Sequence, residues 1–148
     1  MIRKANLKDL EVIIKYNQQL ALETEGVKLD QEKLFKGVIS LLADDTKGSY
    51  YLYETGGKVV GQLLVTYEWS DWRNANYWWI QSVYVNPDYR RQGIFKQLYE
   101  HVKLLAEMED TVCGLRLYVE QQNFNAQTTY QKLNMYPSKY LMYEWNKA

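Results

Sequence analysis

The chain has 148 residues and a formal net charge of +0, with 18 Lys and Arg against 18 Asp and Glu. That length suits one domain with a sizeable core, and the charge balance argues against a dedicated nucleic-acid binder, which carries a strong basic excess. A single cysteine, Cys113, rules out an internal disulfide, no apolar leader follows Met1-Ile2-Arg3-Lys4, and no run reaches membrane-spanning length, so a soluble cytoplasmic protein is expected.

Ile2 to Lys4 can form a first edge strand. Asn6 then reads as a helix N-cap with Asp9 three residues on, and Leu10, Ile13, Ile14, Leu20 and Ala21 recur near helical spacing as far as Glu23. Gly26 breaks that pattern. Asp30 can cap a second helix, on which Leu34, Phe35, Val38, Leu41 and Leu42 make an apolar stripe, and Asp44 to Gly48 is turn chemistry. From Tyr50 the character becomes β. Tyr50 to Tyr53 and Val59 to Tyr67 are rich in β-branched and aromatic residues, and Gly56-Gly57 between them signals a hairpin. Glu68 to Asn76 reads as a polar and aromatic loop, and Tyr77 to Val85 returns to strand.

Pro87 cannot donate to a ladder, so that strand ends at Asn86-Pro87-Asp88, and order resumes at Gly93 with a helix over Ile94 to Ala106. Ile94, Leu98, Val102 and Leu105 give this helix its apolar face. A further strand over Val112 to Val119 follows, then a helix over Asn123 to Leu133, with Asn134 placed where a left-handed residue closes a helix, and a last strand over Tyr140 to Trp145. Strands joined directly early and through helices later predict a mixed α+β fold with helices on both faces of the sheet. His101 reads as a packed histidine and Cys113 as a strand residue without reactivity, and no cluster has metal-ligand spacing.

The stretch with the clearest chemistry is Val83 to Phe95. Strand, basic turn and helix start follow one another there, which gathers Arg90, Arg91 and the unpartnered amides of a first helical turn. The helix dipole favours an anion at that point and Gly93 permits close backbone approach, so a phosphate group is the expected ligand. The Gly-x-x-x-x-Gly-Lys-Ser/Thr and Gly-x-Gly-x-x-Gly patterns are both absent. The bland alternative is a solvated basic turn.

The segment Arg90-Arg91-Gln92-Gly93-Ile94-Phe95 resembles the acetyl-CoA pyrophosphate loop of GNAT N-acetyltransferases, Gln/Arg-x-x-Gly-x-Gly/Ala, with Phe95 departing at the last position. Asn123-x-x-Ala126-x-x-x-Tyr130-x-x-Leu133 resembles the family's second cofactor segment. The resemblance implies a single N-acetyltransferase domain over residues 1–148, built on a central, mostly antiparallel twisted sheet of about six to seven strands with about four helices. It implies strands splayed at the fourth and fifth positions and acetyl-CoA as acetyl donor without a metal. The pantetheine would lie along the main chain of Val83, Tyr84 and Val85, and the pyrophosphate on Arg90, Arg91 and the amides from Gln92 through Gly93, Ile94 and Phe95 to Lys96. Asn123 would sit near the pantetheine amides and Tyr130 near the sulfur. A tyrosine hydroxyl, with a pKa of about 10, is protonated near neutrality and can return a proton to the departing thiolate. Homodimers are frequent in the family.

Relatives commonly place a glutamate on the fourth strand as base, where this chain has Gln81 and Ser82. Replacement carboxylates are Glu68 and Asp71, or Glu23 and Glu25, with Glu68 preferred. These acids, together with Trp69 and Trp72, suit a cation through charge pairing and cation–π contact, which favours a small amine or a lysine-like or peptide amine as acceptor. Arg73 could instead pair with an acid or clamp an acceptor carboxylate. A non-catalytic acyl-CoA-binding domain is the alternative reading.

Overall fold

A computed structural model describes residues 1–148, in two compact units, Met1–Leu117 and Tyr118–Ala148. The first unit opens with β1 (Ile2–Lys4), a short 3-10 turn (Leu7–Asp9) and α1 (Leu10–Glu25). Local chemistry fixes this entry: the Asn6 side chain accepts from the Lys8 amide at 2.9 Å, and the Asp9 carboxylate accepts from the Asn6 amide at 2.9 Å. Asp9 is buried and also takes two bonds from Arg3, at 2.8 and 2.9 Å. The Arg3 guanidinium holds its carboxyl below the ordinary value, against the opposing effect of burial. At the other end of α1, Gly26 adopts φ 63°, and the Val27 amide reaches back to the Ala21 carbonyl, a closure that a residue with a Cβ makes poorly. Asp30 caps α2 (Gln31–Leu42) through the Lys33 amide at 2.9 Å.

The sheet follows the order β1-β2-β3-β4-β5, with β2 (Ser49–Thr55), β3 (Lys58–Ser70), β4 (Ala75–Val85) and β5 (Val112–Arg116). The first four strands are antiparallel and β5 runs parallel to β4. Gly56 and Gly57, at φ 56° and 74°, make the tight turn between β2 and β3 that their sequence signals. Because successive strand residues point to opposite faces, β3 sorts its neighbours cleanly. Gln62 and Leu64 face α1 and α2, in a core with Ile13, Val38, Tyr50 and Leu52. Gly61, Leu63 and Val65 face the other way, towards α3 (Ile94–Met108). A Cβ on Gly61 would come within 2.9 Å of Ile94 Cγ2, so the missing side chain lets α3 pack closely. Leu63, Leu98 and Val102 are 0% exposed, and burial of such a side chain contributes about 1.5–3 kcal/mol. His101 packs against Tyr51 on this face, with ring centroids 5.6 Å apart.

The second unit holds α4 (Phe124–Lys132), after which Asn134 takes the left-handed conformation at φ 63°. Three expectations need correction. The sheet has five strands, not six to seven, because Tyr140–Trp145 forms no ladder and β5 keeps β4 as its one strand neighbour. β5 itself stops at Arg116 rather than Val119, and Cys113 on it is exposed. Third, Glu68 to Asn76 is not a loop. β3 runs on to Ser70 and β4 starts at Ala75, since cross-strand pairs such as Glu68 with Tyr77 extend the ladder to a turn over 71–74.

Candidate active site

β4 changes character half-way along. Its ladder with β5 runs from Asn76 opposite Val112 to Trp79 opposite Arg116 and stops. From Ile80 onward β4 keeps β3 on one side and has no strand paired on the other. In the same stretch the register with β3 slips: Leu64 faces Gln81 and Gln62 faces Tyr84, so β4 carries one extra residue. Ser82 takes up the bulge at φ 48°. A buried network braces it, in which Gln62 Nε2 donates to the Ser82 carbonyl at 3.0 Å and to Asn17 Oδ1 at 3.1 Å. Asn17 Nδ2 in turn donates to the Tyr50 hydroxyl at 2.9 Å. Burial raises the Tyr50 pKa, so that hydroxyl stays neutral.

β4 leads directly into the basic turn. The Asn86 side chain caps a 3-10 turn, Pro87–Tyr89, through the Asp88 amide. Arg91 and Gly93 then both adopt left-handed conformations, φ 62° and 76°. Alternation of this kind turns backbone N–H groups towards one concavity suited to an anion. The helical ladder of α3 begins with the Gln97 amide on the Gly93 carbonyl at 3.0 Å, so the concavity sits at a helix N-terminus. Beyond its own chain neighbours, nothing lies within 4 Å of where a Gly93 Cβ would sit, which leaves room for a ligand at the backbone. Arg91, Gln92 and Lys96 are exposed, Ile94 is buried, and Phe95 is half-buried with its ring 6.3 Å from that of Tyr99.

Arg90 and Glu23 have a different placement from the one expected. Arg90 Nη2 binds Glu23 Oε2 at 2.8 Å and Arg90 Nε binds the Val85 carbonyl at 2.9 Å. The Tyr84 hydroxyl donates to Glu23 Oε1 at 2.9 Å. Burial and the adjoining carboxylate push Tyr84 up to about 12. Burial opposes ionisation of Glu23, but Arg90 and Tyr84 outweigh it and hold its carboxyl below the ordinary value. The Arg90 guanidinium is thus taken up in fastening the end of α1 to the end of β4.

On the same face of β4, Gln81, Trp79 and Tyr77 follow Tyr84 at strand spacing. Gln81 Nε2 donates to Thr66 Oγ1 at 2.6 Å. Glu68 receives Trp79 Nε1 at 2.7 Å on Oε1 and Arg116 Nη1 at 3.1 and 3.0 Å on its two oxygens. The Arg116 guanidinium lies 3.5 Å from the Tyr77 ring centroid and that of Arg73 lies 5.2 Å from it. This cluster stands at the last rung of the β4–β5 ladder. The structure does not bring Trp69 or Trp72 to it: Trp69 points to the opposite face from Glu68, and Trp72 is 88% exposed in the turn. Asp71 binds its neighbour's amide in that turn, and Glu25 is exposed at the end of α1. Arg116, Trp79 and Tyr77 were not singled out from sequence, although the alternation Tyr77-x-Trp79-x-Gln81 placed two of them on the face of Gln81.

In the second unit Asn123 caps α4, its Oδ1 accepting from the Ala126 amide at 3.2 Å, and its Nδ2 is left to donate elsewhere. Tyr130 is half-buried on α4, and burial raises its pKa, which keeps the hydroxyl protonated.

Residues 14–135 match the model of the Acetyltransferase (GNAT) family. The chain belongs to the GNAT acetyltransferase family. Among solved structures it resembles one described as a possible acetyltransferase from Clostridium difficile 630, with 51% identity, a TM-score of 0.96, and coverage of 100% of this chain and 97% of that one. A predicted acetyltransferase with acetyl-CoA from Clostridium acetobutylicum shares the fold at 15% identity and TM-score 0.79, over 99% of this chain and 95% of that one. AAC(6')-Iy, in complex with the bisubstrate analogue CoA-S-monomethyl-acetylneamine, shares it at 14% identity and TM-score 0.78, over 100% and 98%. No curated protein matches the sequence. The GNAT family uses acetyl-CoA, and the left-handed Gly93, the helix start beyond it and the open side of β4 fit that donor. No helix is long and apolar enough to cross a membrane.

Proposed function

We propose that residues 1–148 act as one N-acetyltransferase domain that moves the acetyl group of acetyl-CoA directly to a primary amine in a ternary complex. The observation that carries this reading is the continuity of β4. One strand supplies an unpaired rail, a bulge at Ser82, and then the anion-binding concavity ahead of α3. An extended pantetheine arm can lie along the main chain of Val83, Tyr84 and Val85 as a missing strand would, sharing the Val85 carbonyl with Arg90 Nε. The pyrophosphate then meets Arg91 and the amides from Gln92 to Lys96. Arg90 is assigned to holding this loop in shape through Glu23 and Val85, rather than to the phosphates.

An alkyl amine has a pKa of about 10 and arrives protonated, so a proton must leave before nitrogen can attack. Glu68, with its side chain 40% exposed, takes that proton through water. The amine nitrogen bonds to the acetyl carbonyl carbon, the C–S bond breaks, the Tyr130 hydroxyl protonates the leaving thiolate, and the second proton shed by the nitrogen restores the Tyr130 phenol through water. Asn123 steadies the pantetheine with its spare Nδ2. Glu68, beside the Trp79 ring, offers a carboxylate and an aromatic surface to a cationic small amine, lysine-like or peptide acceptor. Holding the reactants together accounts for several kcal/mol of the barrier, roughly 7–11 in well-oriented cases.

The test is CoA release from acetyl-CoA across a panel of primary amines, with Tyr130→Phe alongside. Release with at least one amine, and a kcat about a hundredfold lower in the variant, is the expected result. Unchanged turnover in the variant at saturating acetyl-CoA would remove Tyr130 from the mechanism. Tight acetyl-CoA binding with no release across the panel would favour the non-catalytic binding domain.

A further inference from the structure

Arg116 is fixed on two sides. Gly114 precedes it by two residues, on the same side of β5, and a Cβ there would come within 3.0 Å of Tyr77 Cε1, so the Tyr77 ring lies against the strand where a side chain is missing. The Arg116 guanidinium rests on that ring, 3.5 Å from its centroid, with one edge on Glu68. Both of its hydrogen bonds to Glu68 leave from Nη1, so Nε and Nη2 keep donors for a further acceptor. A second guanidinium, that of Arg73, stands 5.2 Å from the same ring centroid and comes from the exposed turn over 71–74. Asp71 in that turn gives Oδ1 to the Trp72 amide. Around Tyr77 two positive groups therefore meet the carboxylate of Glu68, and the Arg116 and Glu68 side chains stay 33% and 40% exposed.

We infer that the acceptor carries a carboxylate beside its amine, as a free α-amino acid does, with Arg116 and Arg73 receiving the carboxylate and Glu68 the ammonium, an assignment that rests on the N-acetyltransferase reading of this site. Arg116 Nη1 and Glu68 Oε2 are 3.0 Å apart, so positive and negative charge lie side by side. A ligand with both of its charges on one carbon can lay them head to tail along that pair. An amine without a carboxylate answers Glu68 alone and leaves the excess positive charge unmatched. The guanidinium, already oriented by ring and carboxylate, loses little further freedom on taking a second carboxylate, and its planar fork makes a two-pronged contact that a lysine cannot. Acetylation turns the ammonium into a neutral amide, so the product keeps its contact with the arginines and loses the one with Glu68, which favours its release.

The test compares free alanine, leucine, phenylalanine and lysine with the amines that lack only their α-carboxylate: ethylamine, isopentylamine, phenethylamine and cadaverine. CoA release from acetyl-CoA is expected to show kcat/KM at least about tenfold higher for the acid in the best-used pair. That ratio should fall about tenfold in Arg116→Gln and by a smaller factor in Arg73→Gln, a change in an exposed turn that leaves the β4–β5 ladder alone. Reading the ratio within each variant cancels any effect of the lost arginine on Glu68, and Arg116→Lys should restore it only in part. In parallel, the same eight compounds are titrated into the chain with CoA in place of acetyl-CoA, where binding is expected only for acids. Equal use of acid and amine, or a preference for the amine, would overturn the carboxylate subsite and leave the transferase. A preference that survives both arginine substitutions would overturn its assignment to these residues. Carboxylate-dependent binding without any CoA release would keep the subsite and remove the transferase reading, whereas neither release nor carboxylate-dependent binding would overturn the subsite as well.

Discussion

The two ends of β4 carry the same three kinds of group in two different settings. At one end Glu23 takes a hydroxyl from Tyr84 and a guanidinium from Arg90; at the other Glu68 takes an indole N–H from Trp79 and a guanidinium from Arg116. The first cluster joins α1 to the strand end and the turn beyond it, across 61 and 67 residues of sequence, and its tyrosine is 3% exposed. The second lies where the β5 ladder stops, with Arg116 and Glu68 side chains 33% and 40% exposed. A carboxylate, an arginine and an aromatic donor therefore do not define a role by themselves. Position does: one cluster fastens the turn ahead of α3, and the other lies on the side proposed here for the acceptor.

Exchange of the two carboxylates one at a time should separate these roles. Glu68→Gln is expected to lower kcat by about a hundredfold, roughly 2.7 kcal/mol, with acetyl-CoA affinity within about twofold of wild type. Steady-state kinetics and calorimetry on one preparation would check both halves of that statement. Glu23→Ala should do the reverse. It leaves the buried Tyr84 hydroxyl without its acceptor and lets the Arg90 side chain go. Stability should fall by about 1–2 kcal/mol in urea titration and acetyl-CoA Kd should rise by about tenfold, while kcat at saturation is largely kept. The Glu23–Arg90 ion pair is too exposed to add much to that loss on its own.

The smallest effect is on the acid limb of stability. Arg3 holds Asp9 low, and Arg90 with Tyr84 holds Glu23 low against burial, from ordinary values of 3.8 and 4.5. A carboxyl whose folded pKa is depressed adds stability that is present above its unfolded value and is lost as pH falls through the folded one. Stability should therefore be flat above about pH 5 and decline below pH 4.5. Glu23→Ala should make that decline shallower, and Glu68→Gln should leave the Glu23 share of it intact.

Much of the fold was legible because it rests on local rules. Asn6 with Asp9, Asp30, Gly26, Gly56-Gly57 and Asn134 each act within a few residues, and each does in the structure what its sequence signals. The strand over Tyr140–Trp145 was legible only as a pattern, because a ladder also needs an edge, and the edge is not written in the same stretch. For the site, the Arg91 and Gly93 turn was readable from composition and helix position. The partners of Glu68 were not: Arg116 comes 48 residues later and reaches it through the β4–β5 register. Trp69 and Trp72 misled for a simpler reason. Nearness in sequence was read as nearness in space, whereas strand alternation turns Trp69 away from Glu68.

The most direct test of the account is a calorimetric titration of acetyl-CoA into the wild-type chain and Arg91→Ala, followed by a thermal scan of each sample. The account predicts saturable binding by wild type, with a stabilisation of about 2.7 kcal/mol at a hundredfold excess over Kd, and a Kd about tenfold weaker in the variant with the unliganded melting temperature unchanged. No binding heat and no thermal shift for the wild type would contradict it.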